Sequence, residues 1–154
     1  MRLREESQEF VEQVGSALES LGAARTAGRL LGALLVAEEP ISLDAACRVL
    51  RASKASVSTN AGWLKTAGLL QRVSYPGDRK DYYQVSPGTF ERLLGGRVAQ
   101  VKDWVRVAEV GLRAIEKDNL VARARLEEMR GTCRFLVEQL TLLVARLEER
   151  RTTS

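Results

Sequence analysis

The 154-residue chain contains no histidine, only two cysteines and three prolines, and few aromatic residues: two Trp, three Tyr and three Phe. Without histidine there is no Ser-His-Asp or Cys-His nucleophile, no imidazole acid or base, and no histidine-based zinc site. Cys47 and Cys133 are too few for a thiolate-rich metal site. With no signal peptide in view, they read as reduced thiols and place the chain in the cytoplasm. Both fall on apolar helix faces, as small hydrophobes or, alternatively, as redox sensors. The longest apolar run, Leu30–Ala37 (LLGALLVA), is far short of the ~20 residues of a membrane helix. A Gly-rich phosphate loop and a convergent carboxylate pair are also missing. The expectation is a non-enzyme with no catalytic residue, metal, cofactor or membrane span.

What remains is ordinary for a folded domain: 45% hydrophobic and 29% charged residues. A chain of this size removes about 70% of its surface from water and needs no disulfide. The net charge of +4 is unevenly spread. Residues 1–50 carry five basic and eight acidic side chains, and residues 81–154 carry thirteen and eleven. Between them, residues 51–80 hold Arg51, Lys54, Lys65, Arg72, Arg79 and Lys80 against Asp78 alone. A block of this kind suits a polyanion, although a solvated face has the same composition.

Phe10, Val14, Leu18 and Leu21, with Val11 beside them, recur at helical spacing over residues 4–21, opposite Glu5, Glu6, Glu9 and Glu12. Gly22 is a stop. Residues 24–37 form a second helix, apolar almost all round, in which Gly28 and Gly32 permit close helix approach. Pro40 ends it. After an extended Ile41, a brief helix opens at Ser42 or Leu43 and runs to Leu50, with Ala46, Val49 and Leu50 inward. Arg51-Ala52 turns, Ser53 caps the next helix, and Gly68 stops it after Ala67. That helix is ~21 Å long, enough to lie in a major groove. Leu70–Tyr75 and Tyr82–Ser86 then read as two strands around a Pro76-Gly77 turn.

Pro87 suits the first turn of a following helix. From there Leu94, Val98, Val101, Val105, Ala108, Leu112 and Ile115 form an apolar seam. It continues in register through Asn119, Ala122, Leu126, Met129, Cys133, Leu136, Leu140, Leu143 and Leu147. One helix over that seam would be ~80 Å long, against a radius of gyration of ~15 Å for a compact monomer. So it breaks, or it packs outside its own protomer. The expected break is Lys117-Asp118-Asn119 with Asp118 as cap, and Gly131 is a second candidate. Asn119 either marks that break or fixes register in the seam.

Short helix, turn, longer helix and basic hairpin follow the order of a winged helix-turn-helix. Ile41–Asp44 (ISLD), Val49-Leu50, Ser53–Ser58 (SKASVS), Leu64, Gly68-Leu69-Leu70 and Pro76–Arg79 (PGDR) resemble the MarR-type transcription regulators. Gly28–Gly32 (GRLLG) and Tyr75–Tyr83 (YPGDRKDYY) resemble their GbsR-like branch. The resemblance covers residues 24–90, and the outer helices only by length and order. It implies a mainly α fold with a small β-hairpin wing: an N-terminal dimerisation helix (1–23), a DNA-binding domain (24–90) and C-terminal dimerisation helices (91–154). It further implies a homodimer on near-palindromic double-stranded operators, acting as a repressor and often released by a small molecule. Many MarR-type wings place an arginine two positions after an aspartate. Here Asp78 and Arg79 are adjacent and Lys80 takes the later position, so both cations are minor-groove candidates.

If Val57, Ala61 and Leu64 face the core, then Ser53, Lys54, Ser56, Ser58, Thr59, Asn60 and Lys65 face DNA. Arg79 and Lys80 sit on the wing tip, where they can follow phosphates or enter the minor groove. Arg72 contacts phosphate or pairs across the strands with Asp81. Trp63, Tyr75, Tyr83, Phe90 and Trp104 either line an effector pocket, whose ring faces would suit a cation, or pack as core. The competing function is a winged-helix module for protein contacts that binds no DNA.

Overall fold

The computed structural model of the chain describes residues 5–153. The expected helix start at Arg4 and the outermost ends of the terminal segments, residues 1–4 and 154, lie outside the described residues. Two compact units are present, Met1–Thr89 and Phe90–Ser154.

In the first unit, α1 (Glu5–Ser20) crosses α2 (Arg25–Leu35) where both helices carry glycine. A Cβ on Gly28 would lie 2.6 Å from the Val14 carbonyl oxygen and 2.8 Å from Gly15 Cα, and one on Gly32 would lie 3.1 Å from Val11 Cα. Hydrogen in place of a methyl therefore sets how closely the helices approach. That crossing also corrects the face expected for α1. The buried stripe is Val11–Gly15–Leu18, and Phe10 and Leu21 are exposed. Phe10 stands about 100° round the helix from Val11, and Leu21 lies just past the end of the helix. Gly22, at φ +88°, ends the helix as expected. α2 is buried on all sides but one, with Ala27, Leu30, Leu31, Ala33 and Leu34 in the core and Val36 exposed beyond its end.

α3 (Leu43–Leu50) and α4 (Lys54–Thr66) form the helix-turn-helix pair. Ser42 and Ser53 cap them: each hydroxyl accepts the backbone N–H three residues on, from Ala45 (3.3 Å) and Ser56 (3.2 Å). The turn is made by Arg51, in the left-handed conformation at φ 50°. Arg29 braces it from α2. Its guanidinium donates to the Leu50 carbonyl (3.0 Å), and its Nε lies 2.7 Å from Glu12 Oε1 on α1. One arginine thus ties three helices together. Ala46 and Leu50 are buried as expected, and Val49 is only half-buried.

The hairpin strands are shorter than expected, β2 (Leu70–Val73) and β3 (Tyr82–Val85), because the wing tip splays after Val73. They pair antiparallel with Arg72 opposite Tyr83 and Leu70 opposite Val85. The extended residue at Ile41 belongs to a third strand, β1 (Ile41–Ser42), which pairs with the other edge of β3 to give the order β1-β3-β2. Buried Leu69 and Leu70 seat the sheet on the helices.

In the second unit, α5 (Thr89–Ala114) and α6 (Leu120–Thr153) form a helical hairpin. Gly111 lies against Leu126, Glu109 pairs with Arg134 at 2.7 Å and Glu91 with Arg151 at 3.5 Å, so α6 returns antiparallel along α5. The seam breaks within the expected triplet, but the cap is Asn119 rather than Asp118. The Asn119 carboxamide oxygen accepts from Ala122 N–H at 3.0 Å, the N-cap spacing. Gly131 lies within α6. Helix α5 starts at Thr89, two residues later than Pro87 suggested. Gly88 at φ +73° redirects the chain, and the buried Thr89 hydroxyl bonds the carbonyls of Ser86 (2.6 Å) and Leu69 (3.0 Å). Along α6 the half-buried line passes through Cys133, Val137, Leu140, Val144 and Leu147, leaving the expected seam residues Leu136 and Leu143 exposed. The line keeps the heptad positions 133, 140 and 147 and takes 137 and 144 in place of 136 and 143, so the buried stripe lies on the other side of that row.

Gly28→Ala is expected to lower stability by about 1–3 kcal/mol, because helix backbone is what the new methyl meets. Gly62→Ala, with open space at its Cβ, should gain about 0.5–1 kcal/mol. Urea unfolding at one fixed protein concentration tests both, and equal midpoints for the two variants would refute the glycine-set crossing.

Candidate nucleic-acid interface

Helix α4 is fixed in rotation by Val57, Ala61 and Leu64, all fully buried. The opposite face carries Ala55, Thr59, Gly62 and Thr66, with Ser58 and Lys65 to one side of it, all exposed. At its start Ser53 and Lys54 are also exposed. Ser53 spends its hydroxyl acceptor on the cap, so it presents a donor. Ser56 and Asn60 lie on the flank, half-buried, and the Asn60 amide folds back to donate to the Ser56 carbonyl at 2.8 Å. Asn60 is thereby drawn toward its own helix. Trp63, expected to line an effector pocket or to pack as core, stands 47% exposed on the third turn of α4, one turn beyond Thr59. The sequence carries the signal for this place: Trp63 is i+4 from Thr59 and out of phase with 57, 61 and 64.

The wing tip is a built turn. The Asp78 N–H donates to the Tyr75 carbonyl at 3.1 Å across Pro76-Gly77, with Gly77 at φ +82°, the geometry of a type II turn. The Asp78 carboxylate accepts from the backbone N–H of Lys80 (2.9 Å) and from the Tyr82 hydroxyl (2.8 Å). Tyr82 in turn meets Tyr75 edge-on, ring centroids 4.9 Å apart. The aspartate that departs from the usual wing spacing therefore organises the loop. Arg79 and Lys80 project from it, both exposed. These bonds hold the Asp78 carboxyl below its ordinary pKa, the Lys80 N–H first and the Tyr82 hydroxyl next. The Asp78 hydrogen bond raises that of Tyr82. The lock is thus complete between the carboxylate and phenol ranges. It weakens as pH falls through the lowered Asp78 value or rises through the raised Tyr82 value.

Two cations of this surface are already paired. Lys54 Nζ lies 3.3 Å from Asp44 Oδ1, and Arg72 Nη2 lies 2.5 Å from Asp81 Oδ1. The second pair is the cross-strand alternative anticipated for Arg72. The first spans the turn between α3 and α4 and was not anticipated. Among the remaining aromatics, Tyr75 is exposed at the start of the wing-tip turn and Tyr83 is half-buried on the central strand, where burial raises its phenol pKa. In the second unit, Phe90 and Trp104 are exposed on α5. Among the described residues, no group of His, Cys, Asp and Glu gathers as a metal site, and no helix is long and apolar enough to cross a membrane.

Comparison with known proteins adds to this geometry. A family model described as MmpR5-like MarR family transcriptional regulator matches residues 88–150. The HTH-type transcriptional regulator MmpR5 of Mycobacterium tuberculosis is 35% identical over 143 residues, covering 92% of this chain and 87% of that protein. A crystal structure of a transcriptional regulator superposes with a TM-score of 0.79 at 34% identity, covering 94% of this chain and 99% of the other.

Tyr82→Phe should move the Asp78 carboxyl pKa part of the way up toward the ordinary value of about 3.9, leaving the contribution of the Lys80 N–H. Carboxyl-carbon NMR titration reads this directly. A titration unchanged by the substitution would show that the hydroxyl does not hold the tip.

Proposed function

The chain belongs to the MarR family of transcriptional regulators, in its MmpR5-like group, and from this we propose that it binds operator DNA as a homodimer and represses transcription until a small molecule releases it. Members of the family regulate transcription and are not enzymes. In this reading residues 24–90 form the DNA-binding domain, α4 enters the major groove, and Arg79 and Lys80 reach the minor groove or its phosphates. The likeness of Gly28–Gly32 and the wing tip to the GbsR-like branch is carried here as a sequence likeness only. The matches name the MmpR5-like group.

The observation that carries the proposal is the exposed outer face of α4, lying in the same unit as an exposed cationic wing tip. The helix start adds the positive end of the α4 dipole, which favours phosphate.

Residues 1–23 and 91–154 are assigned to dimerisation. In support, α6 leaves Phe135, Leu136, Leu142 and Leu143 exposed, and α1 leaves Phe10 and the following Leu21 exposed. Apolar area of that extent in one chain suits burial against a second copy. A two-fold dimer presents two identical reading heads, which calls for a near-palindromic double-stranded operator with half-sites one or two helical turns apart. For the effector, the rings of Trp63 and Tyr75 in the first unit, and of Phe90 and Trp104 in the second, are each open to a ligand, and Tyr83 is partly so. The expected location is the cytoplasm, where the DNA is.

Selection of bound sequences from random duplexes should enrich inverted repeats. Arg79→Ala with Lys80→Ala should weaken binding to every duplex and flatten the dependence of log K on log salt by about one for each phosphate left without its cation. Unchanged affinity of the double variant across a salt series would exclude the wing from the interface. A dimer with no salt-sensitive DNA binding would favour the protein-contact reading instead.

A further inference from the structure

We propose that Asp44 and Asp81 are built-in competitors for phosphate, holding Lys54 and Arg72 in the free protein so that these two cations engage DNA only by exchanging one anion for another. The inference rests on the DNA-binding reading above and names residues that set its selectivity.

The two pairs occupy the two halves of the interface. Lys54 is the first residue of α4, and its side chain is 71% exposed. Asp44 stands in the first turn of α3, one helix earlier in the chain. Arg72 lies on β2 at the root of the wing, and Asp81 lies just before β3. In each pair a carboxylate oxygen lies at hydrogen-bonding distance from the cation, and so holds a contact that a phosphate oxygen would need. By contrast, Arg79 and Lys65 have no carboxylate in ion-pair reach among the described residues, and Lys80, whose charge helps to lower the Asp78 pKa, is not ion-paired with it. The surface therefore holds two kinds of cation, open ones at the wing tip and along α4, and paired ones at the helix start and the wing root.

The distinction has a thermodynamic consequence. An open cation that meets a phosphate releases a condensed counterion, and this release drives non-specific binding. A paired cation that transfers to phosphate leaves its carboxylate to take up a cation from solution, which cancels the release. Exposed ion pairs are individually weak, about 0–1 kcal/mol, so a well-placed phosphate can win the exchange. A badly placed one gains nothing. Asp44 and Asp81 thus subtract affinity from arbitrary duplex while allowing contact where the fit is good.

The test is a double-mutant cycle on full-length protein, read by fluorescence anisotropy with a random-sequence duplex from about 50 to 300 mM KCl. Asp44→Asn should tighten that binding by about 3–10-fold near 100 mM salt and steepen the log–log salt slope by about one. In a Lys54→Ala background the same substitution should change affinity by less than about 2-fold, since the coupling runs through Lys54. Asp81→Asn, in wild-type and Arg72→Ala backgrounds, is the second arm, and it decides the matter alone if Asp44→Asn shifts the thermal midpoint. Salt-sensitive binding with no tightening in either arm would overturn the proposal and leave the DNA-binding reading standing. So would tightening that persists without the partner cation, the mark of general repulsion. Absence of any binding by the wild-type chain would overturn both.

Discussion

Val57, Ala61 and Leu64 are shielded from water by α2, α3 and the first strand of the hairpin, and their burial sets the rotation of α4 about its own axis. Three apolar side chains spaced by four and three residues have one orientation that removes them all from solvent. Once they are inside, Ser58, Thr59, Gly62 and Thr66 have to be outside. The surface proposed to meet DNA is thus a by-product of the same packing that stabilises the domain. The supports are equally specific: Ser53 starts the helix, Arg29 pins the preceding turn through the Leu50 carbonyl, and glycine at the α1–α2 crossing lets α2 sit close beneath.

Electrostatics is layered over that frame. The basic block at residues 51–80 is a property of sequence, but the fold decides which of its charges are available. Arg51 adopts a left-handed turn conformation, Lys54 and Arg72 face aspartates, and Arg79 and Lys80 stand out on a loop ordered by Asp78. Asp78, the single acid in the block, shapes the loop through backbone and phenol hydrogen bonds and is ion-paired to neither cation among the described residues. Net charge alone would have counted it as a loss to DNA binding.

Much of this is legible in the chain without its fold. Serine before an amphipathic run marks the starts of α3 and α4 because a hydroxyl satisfies an orphan N–H locally. The rotation of α4 follows from its apolar spacing, and the wing from a change of period around Pro76-Gly77. Features that depend on distant partners are not legible. Ile41–Ser42 becomes a strand only because β3 offers it an edge. The face of α1 depends on where Gly28 lets α2 approach. Asp44 meets Lys54 only after the chain turns at Arg51. Asn119 and Asp118 are both good caps, and the side chain that reaches Ala122 N–H settles between them. Trp63 is misplaced when aromatic residues are grouped by type, and its helical phase is what puts it on the outside of α4.

The central claim is that the outer face of α4 and the wing tip meet DNA together. Amide hydrogen exchange, measured on the chain with and without a duplex that it has selected, addresses this residue by residue. The account predicts slowed exchange at the start of α4 and across the Tyr75–Tyr82 loop, with the buried core unaffected. Protection confined to α6, or absent from both the α4 start and the loop while the duplex is bound, would contradict it.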